Sequence, residues 1–150
     1  AVLRVPGIYA VDRLPLTRLA QRTPALVPGD DVYTNHVHAD DLARLVAAAL
    51  GRARPQRIYH ASDDGELRMG DWFDAIADWA GLPRPPRVAR GDAERLLPEP
   101  LLSFMRESRR LSGARRRAEL RVALRYPTVD AFFAQTPPPG PGQGGQDQSS

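Results

Sequence analysis

The stretch that most constrains this chain is residues 34–50, TNHVHADDLARLVAAAL. It opens as a short alternating segment with β-branched Thr34 and Val37, the pattern of a strand. Two aspartates follow, and then Leu42, Val46, Ala49 and Leu50 recur at the spacing of one helix face. A strand, an acidic turn and a helix inside 17 residues make one half of a crossover unit, so the chain is expected to be α/β with a parallel sheet. Negative charge in a first helical turn is favoured by the helix dipole by about 0.3–1 kcal/mol. Asp40 and Asp41 are therefore read as helix-start charges, and Gly51 as the helix stop.

Other elements are placed around this stretch. Residues 1–9, AVLRVPGIY, read as a strand that turns at Pro6-Gly7, mostly apolar as in a sheet buried on both faces. A short helix is expected over Arg13–Gln21 and a strand over Tyr33–His38. Arg57–Ala61 reads as a second sheet strand, ended by Ser62-Asp63-Asp64-Gly65. Leu67–Met69 reads as extended, and Asp71–Ala80 as a helix that packs Trp72, Phe73, Ile76 and Ala77 and stops at Gly81. Beyond it come a helix start at Asp92–Leu96, a helical run over Leu101–Leu111 and a basic helix over Ala114–Val122. A short strand over Leu124–Tyr126 and a last turn over Val129–Ala134, capped by Thr128, complete the list. From Gln135 no apolar side chain larger than proline remains. The organisation read is a folded region over 1–134 and a disordered tail over 135–150.

Composition narrows the function classes. The chain has 150 residues, 42% of them hydrophobic, enough for a real core. No apolar run approaches the roughly 18 residues of a membrane span, and cysteine is absent, so disulfide and thiolate chemistry are excluded and a cytoplasmic setting is expected. All 21 basic residues are arginine. The pI near 9.9 could mark a nucleic-acid surface, but a formal charge of +3 is small for this length. Ordinary solvated arginines account for it. The charge is unevenly distributed: residues 101–126 hold eight Arg against two Glu, the one segment that could grip phosphate. His36, His38 and His60 could suggest zinc, but without thiolates they are read as structural, and no metal site is expected. Asp40 and Asp41 are consecutive and diverge by about 100° on a helix, which does not suit an acid–base pair.

Four stretches in order resemble the C-terminal half of the NAD-dependent epimerase/dehydratase family, in the extended or atypical branch of the short-chain dehydrogenases/reductases. They are LRVPGIY (3–9), NHVHADDLA (35–43), IYHASDD (58–64) with DWFDAIADWAGLPRPP (71–86), and RRRAELRVALRYPT (115–128). The resemblance implies an α/β fold: the last strands of a Rossmann-like sheet plus a small substrate domain, with the N-terminal dinucleotide-binding half absent. The family's glycine-rich fingerprint is not here, since GQGG in the tail neither follows a strand nor precedes a helix. The Tyr-x-x-x-Lys pair is also missing, because the chain has no lysine. No catalytic residue is therefore assigned.

What the resemblance implies for ligands is confined to two places. Pro6, Gly7, Ile8 and Tyr9 match the turn that approaches the nicotinamide of NAD or NADP, although Ala10 and Asp12 depart from the family pattern. Arg13, Thr34 and Asn35 match the substrate side. Thr34 stands where sugar-nucleotide relatives place a diphosphate-gripping Arg, which counts against a nucleotide-diphosphate sugar. The implied protein is an NAD(P)-dependent oxidoreductase acting on a sugar nucleotide or similar small polar substrate, with this chain inactive alone. Its partners are a small-molecule substrate and, compatibly, a second copy, not a membrane or nucleic acid. The competing reading is a non-catalytic basic module for nucleic acid or protein. A chain that opens on AVLRV is also expected to have lost an upstream portion and to expose an apolar sheet edge at Ala1–Val5.

Overall fold

The computed structural model describes residues 1–140; most of the expected tail, residues 141–150, lies outside the described residues. In chain order the elements are β1 (Val2–Arg4), β2 (Gly7–Tyr9), a 3-10 turn (Val11–Arg13), α1 (Leu16–Ala20), β3 (Ala25–Leu26), β4 (Tyr33–Thr34) and β5 (His36–His38). Then come α2 (Ala39–Arg52), β6 (Ile58–His60), β7 (Leu67–Arg68), α3 (Met69–Ala80), β8 (Arg87–Val88), α4 (Arg90–Leu96), α5 (Glu99–Arg106), a π-helical turn (Arg116–Leu120) and α6 (Val129–Gln135). This is an α/β fold with three parallel strand pairs and one antiparallel pair among the described residues.

The two expected sheet strands pair as read. β1 and β6 run parallel in the register Val2–Ile58, Leu3–Tyr59, Arg4–His60. Strand alternation sends Leu3 and Tyr59 inward, where they meet Val37, Leu45, Ala61 and Leu120. It sends Val2 and Ile58 outward, where both are exposed, as Val5 and Ile8 are further along the chain. Among the described residues β1 pairs only with β6.

The expected strand over Tyr33–His38 is broken at Asn35. Tyr33–Thr34 pairs antiparallel with β7, while His36–His38 pairs parallel with β2. Asn35 is occupied elsewhere: its Oδ1 accepts from the Leu111 amide at 2.9 Å and its Nδ2 donates to the Arg109 carbonyl. It ties the 109–111 segment to the sheet instead of continuing a ladder. A further parallel pair, β3 with β8, supports the small lobe, whose core is Leu26, Ala93, Leu97, Leu102 and Met105. Two-residue strands carry too little alternation to be read from sequence.

The helix α2 is where the sequence reading needs its main correction. Its N-cap is His38, whose Nδ1 accepts from the Asp40 amide at 3.1 Å. Asp41 is fully buried, so it is not a solvated helix-start charge. Its two oxygens accept from the backbone amides of Arg125 (2.7 Å) and Tyr126 (2.8 Å). Gly51 lies inside the helix, which ends at the extended Ala53. In contrast, α3 ends as expected at Gly81, whose φ of +69° requires a residue without a Cβ penalty.

The C-terminal third is less regular than expected. The basic helix over Ala114–Val122 is a π-helical turn ending at left-handed Arg121. Residues 124–126 form no strand: the amides of Arg125 and Tyr126 are taken by Asp41. The helical run expected over Leu101–Leu111 stops at Arg106. The last helix starts as read, with Thr128 Oγ1 accepting from the Ala131 amide at 3.2 Å. It delivers Phe132 into the largest core cluster, with Tyr9, Trp72, Phe73, Ile76 and Tyr126.

A hydrogen bond to a charged group contributes about 1.5–3 kcal/mol, and a stranded buried amide costs a comparable amount. Asp41→Ala is therefore expected to lower the unfolding free energy by about 3 kcal/mol or more. Asp41→Asn, which keeps one acceptor, is expected to cost less. Urea midpoints of the three proteins check this order, and an Asp41→Ala midpoint equal to the parent would refute it.

Candidate functional site

Parallel α/β sheets place ligands at the carboxyl ends of their strands. At that end of β1 and β6 a cleft of about 960 Å³ opens, within the size range of small-molecule sites. One wall is the chain leaving β1, Arg4 to Gly7, with His60 from β6. The floor is Thr34, Asn35 and His36 with Met69, Trp72 and Phe73 of α3. The far wall comes from the small lobe: Ser103 and Phe104 of α5, then Glu107 and Arg109. Phe104 is 68% exposed, a large apolar side chain held in the cleft instead of in a core.

The cleft gathers some of the residues implied by resemblance and leaves out others. Pro6, Gly7, Thr34 and Asn35 line it. Ile8 does not line it, and Tyr9 is turned into the core, its ring edge-on to His38, Trp72 and Phe132. Tyr9 Oη is buried without a hydrogen-bond partner. Burial foremost, then the charges of Asp63 and Asp41, hold its phenol well above the ordinary range. Arg13 is exposed on the 3-10 turn and lies outside the cleft. Five residues further on, Arg18 of α1 does line it.

Gly7 has a structural task of its own. A Cβ there would fall 2.9 Å from His36 Nδ1, and its N–H already donates to the Asn35 carbonyl at 3.2 Å. His36 in turn stacks flat on Trp72, with ring centroids 3.7 Å apart and planes 8° from parallel. Its Nε2 is 3.0 Å from Thr34 Oγ1. Burial drives its pKa down to about 4, so it is neutral at pH 7. His38 is also held below the ordinary value, chiefly by burial, among Tyr126 and Phe132. Both rings pack as structural histidines.

Behind the stack lies a second, smaller cavity of about 170 Å³. It shares Thr34, His36 and Trp72 with the cleft and adds Asp63, Thr128 and Asp130. Asp63 was legible only as a turn residue. It is 8% exposed, and its Oδ1 accepts from the Gly65 amide at 2.9 Å. Burial pushes its carboxyl up to about 7, against the pull of that amide and with a smaller push from Asp64. The signal that could have singled it out is position: it follows the end of a parallel strand.

The basic segment is mostly exposed but largely paired. Arg116 is buried and pairs with Asp64 at 2.5 Å, as Arg117 does at 2.7 Å. Arg115 donates to the Ile58 carbonyl, and Arg109 and Arg110 pair with Glu107 and Glu66.

No protein-family model matches the sequence, and neither does any curated protein. Solved structures do. A conserved protein of unknown function from Silicibacter pomeroyi is 30% identical, with a TM-score of 0.76 over 89% of this chain and 46% of its own. A Methylobacillus flagellatus protein assigned as an NAD-dependent epimerase/dehydratase is 29% identical, with a TM-score of 0.58 over 89% of this chain and 45% of its own. The human epimerase family protein SDR39U1, solved with NADPH, shares the fold at 11% identity, with a TM-score of 0.70 over 89% and 46%. The chain thus spans slightly less than half the length of the structures it matches, and the match is to their C-terminal part.

An acid whose folded pKa is raised stabilises the fold at low pH and loses that contribution as pH rises through the folded value. For Asp63 the window runs from about pH 4, where the unfolded carboxyl ionises, to about 7. Asp63→Asn retains an acceptor for the Gly65 amide but cannot ionise. Its thermal midpoint is expected to match the parent at pH 4, to exceed it increasingly up to pH 7, and to keep a constant lead above. A constant difference across pH 4–8 would contradict the assignment. Comparing variant with parent removes the histidines, whose lowered values act in the opposite direction.

Proposed function

We propose that this chain, which has the fold of the C-terminal part of NAD-dependent epimerase/dehydratase proteins, forms the substrate-facing portion of an NAD(P)-dependent oxidoreductase of that kind. The observation that carries the reading is the cleft at the carboxyl ends of β1 and β6, where open α/β sheets bind ligands. The substrate is a small polar molecule. Thr34 in place of a diphosphate-gripping arginine favours one without a nucleotide diphosphate.

The residues present fit one end of a dinucleotide and not the other. Val5, Pro6 and Gly7 give the cleft a mostly apolar wall suited to a flat nicotinamide ring. Nothing in the chain is a glycine-rich turn for the pyrophosphate. When bound, such a cofactor supplies hydride transfer. The residues of this chain hold and orient: Val5 and Pro6 the ring, Thr34 and Asn35 the substrate, while Phe104 and the α5 wall limit the access of water. No residue here is assigned the proton transfer, since a tyrosine activated by lysine needs a lysine that the chain lacks. Asp63 lines the adjoining cavity and is held by the Gly65 amide, and the neutral His36 lies on the cleft floor, stacked on Trp72.

The isolated 150 residues are expected to show no NADH- or NADPH-dependent turnover. The reading also expects a glycine-rich strand–helix turn and a Tyr-x-x-x-Lys pair in frame upstream of the Ala1 codon. Turnover by the isolated chain, or an upstream sequence holding neither, would sink it.

A further inference from the structure

Arg18 differs from the other arginines that border ordered structure here. Most of those of the basic segment find carboxylates or carbonyls: Arg109 with Glu107, Arg116 and Arg117 with Asp64, Arg115 with the Ile58 carbonyl. Arg18 has none among the described residues. Its guanidinium lies 4.3 Å from the centroid of the Phe73 ring, and its Nη2 is buried with no hydrogen-bond partner. Burial lowers its pKa, and no neighbouring charge opposes that. A cation held this way is costly, because it has given up water without gaining an anion. The contact with Phe73 returns only part of that, about 0.5–2 kcal/mol.

This cation borders the main cleft. Arg4 and Arg109 also line it, and the one acidic residue on its walls, Glu107, is already paired with Arg109 at 2.7 Å. The cleft is therefore net positive. Its apolar lining joins Val5, Pro6 and Met69 to three aromatic residues, of which Phe104 is largely exposed while Trp72 and Phe73 are mostly buried at the floor.

We infer that Arg18 anchors an oxyanion, carboxylate or phosphate, of a ligand whose flat or apolar body lies against the exposed Phe104 in this cleft, with the edges of Trp72 and Phe73 at its floor. The inference deepens the proposed function, since it rests on reading the cleft as the substrate site and names the chemical class of the substrate. The planar guanidinium matches a carboxylate or phosphate edge with two parallel hydrogen bonds. In a partly desolvated site such a pair contributes far more than at an open surface. Phe73 lies under the guanidinium carbon and restricts where the group can sit, so its remaining donors are held at the cleft before the ligand arrives.

The test needs no cofactor and uses the chain as it stands. Three probes share one body: phenylacetate, phenyl phosphate and the neutral phenylacetamide. Binding is followed by the Trp72 indole resonance and by the thermal midpoint. Both anions are expected to shift the indole and raise the midpoint, and to bind at least tenfold more tightly than the amide. Their order tells carboxylate from phosphate. Arg18→Gln is expected to bring the anions down to the level of the amide, with no loss of thermal stability in the absence of ligand. Arg18→Lys, which keeps the charge without the fork, is expected to retain part of the preference and stands in for Arg18→Gln should that variant fold poorly. Equal binding of all three probes, a preference that survives Arg18→Gln, or no binding at all would overturn the inference. The oxidoreductase reading falls on different results, turnover by the isolated chain or an upstream sequence without the fingerprint, so the two can fail separately.

Discussion

The carboxylate of Asp41 holds the two ends of this fold together. It projects from the first turn of α2 and receives the backbone amides of Arg125 and Tyr126, more than eighty residues later in the chain. A fully buried carboxylate is tolerable only if its oxygens are satisfied. Two amides, with Arg44 at 3.4 Å at the rim, do this. In return, an irregular segment that could pair with no strand has its donors matched. Tyr126 and Phe132 can then enter the core beside Tyr9 and Trp72. Without the clamp, α6 would have no fixed approach to the sheet, and the floor of the cleft, which rests on Trp72, would lose its backing.

The cleft depends on a second set of contacts that follows from the first. Trp72 is held from behind by the core and from the side by His36, stacked at 3.7 Å. His36 can lie there only because Gly7, its register partner in the parallel pair, has no side chain. A family-like Pro-Gly turn thus has a local explanation alongside its ligand-facing one. Gly7 makes room for a histidine, and the neighbouring Val5 and Pro6 are left to form the wall.

Elements with many residues in phase were legible in the sequence. The α3 face, the β1–β6 pair, the Gly81 stop and the Thr128 cap all rest on local patterns that tertiary contacts did not override. The α2 helix was legible but its face was not: Leu45 is buried, while the expected Val46 and Leu50 are exposed. What escaped was decided over distance. Asp41 looks like a helix-start charge until the 125–126 amides arrive. Asn35 looks like a strand residue until residues 109–111 claim its side chain. Of the ligand-side residues implied by resemblance, Pro6, Gly7, Thr34 and Asn35 reach the cleft, while Ile8, Tyr9 and Arg13 do not. Strand alternation and a turn of helix separate those fates, and neither can be counted reliably through two- and three-residue strands.

Charge shows most clearly how sequence and fold differ. Along the chain, basic residues are segregated into 101–126, and that segregation is what suggests a polymer-binding surface. In space it is undone. Arg106 meets Glu99, Arg110 meets Glu66, Arg116 and Arg117 share Asp64, and Arg125 lies 3.9 Å from Asp40. Most of those pairs are exposed and contribute little energy singly, but each sets a negative charge beside a positive one and so weakens the segment's field. The same pairing rule makes the exception informative. A surface arginine without a partner is unremarkable, because water solvates it. A partly buried one, stacked on Phe73 and lining a net-positive cleft, keeps a cost that the fold itself does not offset. Physical chemistry leaves two ways to remove that cost: replacement of the side chain, or an anion that comes from outside the chain.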